Sequence, residues 1–446
     1  MIPIKKIYKS TLNSIRNFSH LEFIKISSLN LVSAIIGMFT GLLSVKIISI
    51  WTGAGGVVLA GQFKNFLGVL QTVSGLGMDA AVTKYIAEYK DDPLKQKKIV
   101  GSSFCILMVI SLIIAFLLMV FSNSVSTYLF GIQEYSSIIQ VLGCVLLFFS
   151  LKFWLSAIAS GKKYYTFSII INITTSLLTL IFSSIFIFFF KEYGLLLSLV
   201  LIEIILFLLA VFLIRKRKIF TWSIADLYYG YDRVFTKKLL SFTLMIVVST
   251  LAGPPVNIFI RRYLIEKVSL NSAGIWEGMN RISNVYLVLI ISTLRLYYFP
   301  RLSEIKTLQA LKKEVLLIFK ILLPPLLLFL ITIFYLKKLV ISILFTSDFQ
   351  SMEVLFLPQM IGDFFEVSSW ILVFLMMAKA KVKMHVFSSA IAGGSFLLLS
   401  ILLIDMYGME GATYSYAMSR FFWLIINLIL ISRFYFFNPK NYSNMG

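Results

Sequence analysis

Histidine and cysteine are almost absent, with two of each in 446 residues. Cys105 and Cys144 both lie inside apolar runs and have no ligand-spaced partner, which excludes a disulfide framework and a thiolate metal centre. Both are therefore expected to be buried packing residues. His20 and His385 stand alone. No G-x-x-x-x-G-K-[ST] phosphate loop occurs, and Gly161-Lys162 lacks the upstream glycine, so no nucleotide hydrolysis by this chain is expected. Neither a metal nor a cofactor is implied. Charge is scarce too, at 14% of residues, and Asp and Glu number only 20 against 41 Lys and Arg. The resulting net charge of +21 does not point to nucleic acid. The basic residues fall in short clusters between apolar runs, where they anchor helices and meet anionic headgroups. Long outward loops are missing as well. No outward loop could hold the soluble active site that a membrane-embedded glycosyltransferase, polymerase or ligase needs, so an enzyme is not expected.

What the chain has in abundance is apolar sequence: 59% hydrophobic residues and a mean hydropathy of +0.92. A water-soluble domain of this size is far more polar. Crossing a hydrocarbon core of about 30 Å takes about 20 helical residues. Barrel-type alternation is absent, and lipid leaves no partner for free backbone groups, so a helical bundle is expected. Twelve windows qualify, at 26–50, 58–83, 99–121, 136–159, 165–190, 194–214, 240–262, 273–299, 315–336, 353–378, 384–404 and 411–433. The second and eighth carry the most polar residues. Lys5, Lys6, Lys9 and Arg16 precede a long first span with no small-residue cleavage site, so that span is expected to stay as an anchor.

Lys and Arg are biased to alternate loops. One set includes the N-terminal segment, Lys84 to Lys98, Lys162 with Lys163, Arg215 to Lys238, Arg301 to Lys313, and Lys379 to Lys383; the other offers only Lys191, Arg261, Arg262, Lys267, Lys337 and Lys338. Both termini should then be cytoplasmic. The basic stretch from Arg215 to Lys238 divides the spans six and six. The expected organisation is an N-terminal lobe over 1–218, a cytoplasmic linker over 219–239 and a C-terminal lobe over 240–446. A faint direct repeat relates the halves: GVVLAGQ at Gly56 to GIWEGMN at Gly274, KYIAEYK at Lys84 to PRLSEIK at Pro300, Leu129-Phe130 to Leu344-Phe345, and Tyr193-Gly194 to Tyr407-Gly408. With an even number of spans per half, the repeats should be parallel, around a central cavity.

Charges within spans cost about 2.5–3.5 kcal/mol each and therefore tend to face a bundle interior or a wet cavity. The basic ones are Lys46, Lys64, Lys152, Arg281, Arg295, Lys320 and Arg420; the acidic ones are Asp79, Glu203, Glu277, Asp363 and Glu366. Lys64 and Arg281 lie at similar depth on the second and eighth spans. Facing each other across a cavity, they would suit a phosphate or pyrophosphate. The competing reading is that Glu277, one turn from Arg281, neutralises it. Lys46, Arg295 and Lys320 lie near span ends, within snorkelling reach of headgroups. Asp363, Glu366 and Glu203 fit either ion coupling or structural pairing with Lys152 or Arg420, and Asp79 is placed to pair with Lys84. Pro254-Pro255 should kink the seventh span and offers a hinge.

These residues resemble the Wzx-type flippases for lipid-linked O-antigen repeat units, a family of the MOP superfamily that includes the exporter of the enterobacterial common antigen lipid intermediate. The likeness is best from Gly53 to Asp92, above all at VTKYIAEY, and continues at GIWEGMNRISNVYL (Gly274 to Leu287), FPRLSEI (Phe299 to Ile305), GDFFEV from Gly362, and AKA (Ala378 to Ala380). The resemblance implies twelve helices in two six-helix lobes, with the first, second, seventh and eighth lining a cationic cavity, and a polyprenyl-pyrophosphate-linked oligosaccharide as substrate. On those helices fall Lys46, Lys64 and Arg281, with Arg295 at the end of the eighth. It also implies a multi-pass protein of the bacterial inner membrane, working beside polysaccharide polymerase and chain-length machinery. A multidrug or cation antiporter of the same superfamily is the alternative, and cationic cargo would favour a more acidic cavity than the one expected here.

Overall fold

The computed structural model describes residues 4–75, 78–217, 219, 230–240, 253–294, 298–305, 307–379 and 381–433. All regular structure among them is helical. The helices are α1 (Ile4–Ser74), α2 (Met78–Glu88), α3 (Pro93–Val120), α4 (Ser122–Phe130), α5 (Ser136–Gly161), α6 (Tyr165–Lys216), α7 (Pro254–Lys267), α8 (Leu270–Thr293), α9 (Phe299–Glu304), α10 (Leu308–Tyr335), α11 (Lys337–Leu344), α12 (Phe356–Ala378), α13 (Val382–Tyr407) and α14 (Met409–Ile431). A 3-10 segment, Ser347–Leu355, leads into α12.

Eight helical stretches among the described residues are long and apolar enough to cross a bilayer. Two of them are too long for a single pass. The 52 residues of α6 would extend about 78 Å if straight, against a core of about 30 Å. Lys191 breaks α6 at φ 48° and ψ −132°, and Gly53 breaks α1 at φ 61° and ψ −157°. Ala34 and Asn65 would lie about 46 Å apart on a straight helix, yet they line one cavity. Both helices are therefore hairpins, each contributing two arms. α8 is not among the eight, because Glu277, Arg281 and its asparagines and serines lower its hydropathy. The chain is an all-α, multi-pass membrane protein.

Large apolar side chains exposed at the protein surface fit this solvent. Phe116, Phe189 and Leu328 are each about two-thirds exposed, which in water would be a liability and in lipid is the ordinary outer face. The same logic corrects the expectation for the cysteines. Cys144 is exposed and Cys105 half-buried, because an apolar run in a bilayer buries residues in lipid as readily as in protein.

Interior packing comes in separate clusters. One joins Met78, Ile86, Ile99, Trp154, Phe167 and Leu213 within the N-terminal half, and another joins Leu294, Tyr298, Leu311, Ile371 and Ile431 in the C-terminal half. A third crosses between the halves beside the Gly53 bend, where Val45, Ala54, Val57 and Val58 meet Ile260, Ala273, Trp276 and Phe345. Gly274 permits this approach: a Cβ there would collide with the Ala54 backbone.

Several expected boundaries move. The second span ends at Ser74 with a turn at Gly75, and α2 restarts at Met78. Asp79 sits in the first turn of α2, where the helix dipole favours a carboxylate. Pro254 and Pro255 do not kink a continuous described helix. They occupy the first turn of α7 after a bend at Gly253, where a missing N–H costs nothing; residues 241–252 of the expected seventh span lie outside the described set. An unforeseen proline pair, Pro324-Pro325, lies inside α10.

Candidate functional site

The second arm of α1, α7 and α8 converge on one carboxylate. Glu277 and Arg281, one turn apart on α8, are joined at 3.1 Å. From α7 the wholly buried Arg261 reaches the other oxygen of Glu277 at 2.5 Å. Arg261 also donates to Gln62 Oε1 at 2.6 Å. With its amide oxygen turned inward, Asn65 accepts from both Arg261 Nη atoms, at 3.2 and 3.1 Å. The Arg261 guanidinium packs 5.9 Å from the centre of the Trp276 ring. Gly61 makes room for the arrangement, since a Cβ there would strike the Glu277 carboxylate.

A cavity of about 460 Å³ opens beside this cluster, and Lys64, Asn65, Glu277, Arg281 and Asn284 are among its lining residues. Lys64 is half-buried and makes no hydrogen bond or ion pair among the described residues. Three formal positive charges, on Lys64, Arg261 and Arg281, are thus gathered about one carboxylate. Glu277 does neutralise Arg281 in part, as the competing sequence reading held, but it is shared with Arg261 and cannot compensate both. The site keeps a surplus of positive charge in a low-dielectric setting, where a divalent anion is the complementary guest.

Two further ion pairs lie inside spans, one in each half. Lys152 on α5 and Glu203 on α6 form a buried ion pair, with the ammonium 4.3 Å from the Phe153 ring centre. They line a second cavity of about 390 Å³. In the C-terminal half Glu366 on α12 pairs with Arg420 on α14 at 2.6 Å, beside a smaller cavity of about 200 Å³. Asp363 has no cation. Its carboxylate is buried and accepts from Ser283, Tyr286, Gln359 and Tyr416. The Tyr416 hydroxyl also bonds Glu366 at 2.9 Å, so it bridges the two carboxylates.

The structure thus brings Lys64, Glu277 and Arg281 together. Lys46 stands elsewhere: its ammonium bonds the Phe345 and Ser342 carbonyls at 2.6 and 3.2 Å, capping the end of α11 rather than lining the cavity. Arg295 lies outside the described residues. Arg261, counted above among outward-loop cations, is instead the buried centre of the network. Its signal was its spacing from Ile258 and Leu264, which places all three on one helical face, and all three are buried. Gln62 and Asn65 gave no comparable signal.

Comparison with known proteins adds the following. The family model described as "Polysaccharide biosynthesis protein" matches residues 22–306. The "Lipid III flippase" of Escherichia coli (strain K12) is 26% identical over 396 residues, covering 89% of this chain and 95% of that protein. Among solved structures, an inward-facing multidrug resistance MATE family transporter of the MOP superfamily superposes with a TM-score of 0.74 at 13% identity, covering 92% of this chain and 98% of the other. The lipid II flippase MurJ, in an inward closed conformation, superposes with a TM-score of 0.65 at 15% identity, over 95% and 90%. At such identities these two establish the shared fold alone.

Proposed function

The chain belongs to the polysaccharide biosynthesis protein family, and from that premise we propose that it is a flippase carrying a polyprenyl-pyrophosphate-linked oligosaccharide, of the O-antigen repeat-unit type, across the bacterial inner membrane. The observation that carries this reading is the surplus of cationic groups around Glu277 inside a lipid-embedded chamber. Desolvating sugar hydroxyls and phosphate charge makes unassisted crossing slow. Charge-assisted hydrogen bonds from Lys64 and Arg281 replace the water lost by the phosphates, while Arg261 and Gln62 fix the geometry of Glu277. The prenyl tail stays in the bilayer, so no covalent bond changes.

Alternating access needs one end closed while the other is open. Packing of Ala54 on Gly274 and of Lys46 on the end of α11 closes the Gly53 end. By the Lys and Arg bias that end is periplasmic, which leaves the cavity for loading from the cytoplasm. Outward movement of negative charge is favoured by about 2.3 kcal/mol per charge per 100 mV of inside-negative potential. The flipped product then becomes available to polymerase and chain-length machinery on the outer face. A carrier of organic cations would need the opposite cavity polarity.

The test is Lys64→Ala with Arg281→Ala in a host deleted for its own flippase. Surface polysaccharide should be lost and lipid-linked oligosaccharide should accumulate on the cytoplasmic leaflet, with protein abundance unchanged. Normal surface polysaccharide in that double variant refutes the reading.

A further inference from the structure

Lys64 lines two cavities, the cationic chamber beside Arg281 and the 390 Å³ cavity enclosed by α5, α6 and the second arm of α1. We propose that this second cavity is the sugar-binding subsite, taking one or two neutral hexose-type rings of the oligosaccharide while the pyrophosphate sits at Lys64 and Arg281. The proposal rests on the flippase reading and adds to it the place where the sugar is selected.

Four observations support the assignment. The volume falls in the range of about 300–1,000 Å³ typical of small-molecule sites, whereas the 200 Å³ cavity beside Glu366 and Arg420 falls below it. Its lining offers neutral hydrogen-bonding groups, including the amides of Gln71 and Asn172 and the hydroxyls of Ser168 and Thr175. The Thr175 hydroxyl already donates to the Ile171 carbonyl at 2.7 Å, leaving its lone pairs as acceptors. The Gln71 and Asn172 side-chain amides make no hydrogen bond among the described residues, so each can donate to and accept from a sugar hydroxyl.

Charge and shape agree with that chemistry. Among the described residues, the only charged groups along this lining besides Lys64 are Lys152 and Glu203, and they are paired with each other. Away from Lys64, at the junction with the cationic chamber, the lining therefore carries no net charge. Phe149 and Phe153, edge to face at 5.1 Å, border the same space and present apolar surface to the C–H face of a pyranose ring. An anion-binding lysine at the junction of a cationic chamber and a neutral, amide-rich, aromatic-walled pocket matches a molecule in which phosphate and sugar are directly joined.

The experiment uses the full chain in two flippase-deleted hosts whose repeat units differ in their first sugars, with the double variant Gln71→Leu, Asn172→Leu. Surface polysaccharide should fall at least tenfold in one host and by a clearly different factor in the other. Binding of inorganic pyrophosphate to the purified protein should stay within about twofold of wild type, because Lys64 and Arg281 are untouched. Unchanged polysaccharide in both hosts overturns the proposal. So does an equal loss in both hosts, which is what general misfolding or obstruction by a bilayer lipid would produce. Absence of pyrophosphate binding in the unmodified protein would count against the cationic site alone, since the ratio between hosts reads the sugar subsite independently.

Discussion

Glu277 is bonded to two guanidiniums, and that sharing makes the three residues unequal under substitution. Removing Arg281 leaves the Arg261–Glu277 pair intact, and removing Arg261 leaves Glu277 paired with Arg281. Removing the carboxylate leaves Arg261 at 2% exposure with no counter-charge, a situation that costs about 3–5 kcal/mol. Glu277→Gln is therefore expected to lower the thermal unfolding midpoint in detergent much more than Arg281→Met or Arg261→Met does. Equal effects of the three would mean that the cluster is not held by the shared carboxylate. Lys64, Glu277 and Arg281 were legible in the sequence because charge inside an apolar window is costly enough to need a reason. Arg261 was not, because a cation at the end of a window reads as a loop residue until the helix is known to continue to Lys267. Depth along the bilayer can be read from a sequence, but the face a helix turns to its neighbours depends on packing that only the fold supplies.

Two hairpins, in α6 and between α13 and α14, repeat one design at an offset of 217 positions. Ser183 bonds Ser198 at 3.1 Å, as Ser400 bonds Ser415 at 2.8 Å. A Cβ at Gly194 would strike the Phe186 carbonyl, and one at Gly411 the Leu403 carbonyl. The turn residues are Lys191 at φ 48°, ψ −132° and Gly408 at φ 58°, ψ −132°. The sequence comparison set Tyr193-Gly194 against Tyr407-Gly408, three residues out of this register, because a shared Tyr-Gly dipeptide outweighed a glycine matched by a lysine. The long hydrophobic windows were legible, since the bilayer sets their length. So were the bends at Gly53 and Lys191, which fall between the windows 26–50 and 58–83 and between 165–190 and 194–214; short elements such as α4 and α11 were not, since each is far shorter than a bilayer-crossing window. Lys191 adopts a backbone conformation that costs a residue with a Cβ about 1–3 kcal/mol, whereas glycine meets no such penalty. Lys191→Gly should raise the unfolding midpoint by the equivalent of about 1 kcal/mol, less the added freedom of the unfolded chain. Gly408→Lys should lower it by a similar or larger amount. Thermal unfolding of both variants in one detergent checks the pair, and a destabilising Lys191→Gly would show that the turn is not strained.

Across the whole molecule the two halves meet at the Gly53 end, and the chain between them is also anchored. The expected cytoplasmic linker over 219–239 is described at residue 219 and from residue 230 to its end, where it docks on α3. Ser102 exchanges hydrogen bonds with the Asp232 backbone at 2.9 and 3.1 Å, and a Cβ at Gly101 would collide with the Gly230 backbone. Lys98 pairs with the Asp232 carboxylate at 3.0 Å. That carboxylate also accepts from the backbone N–H groups of Val234 and Phe235, capping the helical run that begins at Arg233. Lys98, followed by the Phe235 amide, holds the Asp232 carboxyl below the usual carboxylate range. A carboxyl depressed in the folded state lends stability that is complete above its unfolded value, about 3.9, and is lost as pH falls through the lower folded value. Protection of the Val234 and Phe235 amides from hydrogen exchange, corrected for the intrinsic rate, should thus be constant from neutral pH to about pH 5 and collapse only below the ordinary carboxylate range. Lys98→Met should move that collapse upward toward the ordinary value, and Asp232→Asn should lower the protection at every pH and remove its titration. If protection in Asp232→Asn still titrated like wild type, another carboxylate would be holding the linker to α3, and the coupling between the halves would have to run through a different contact.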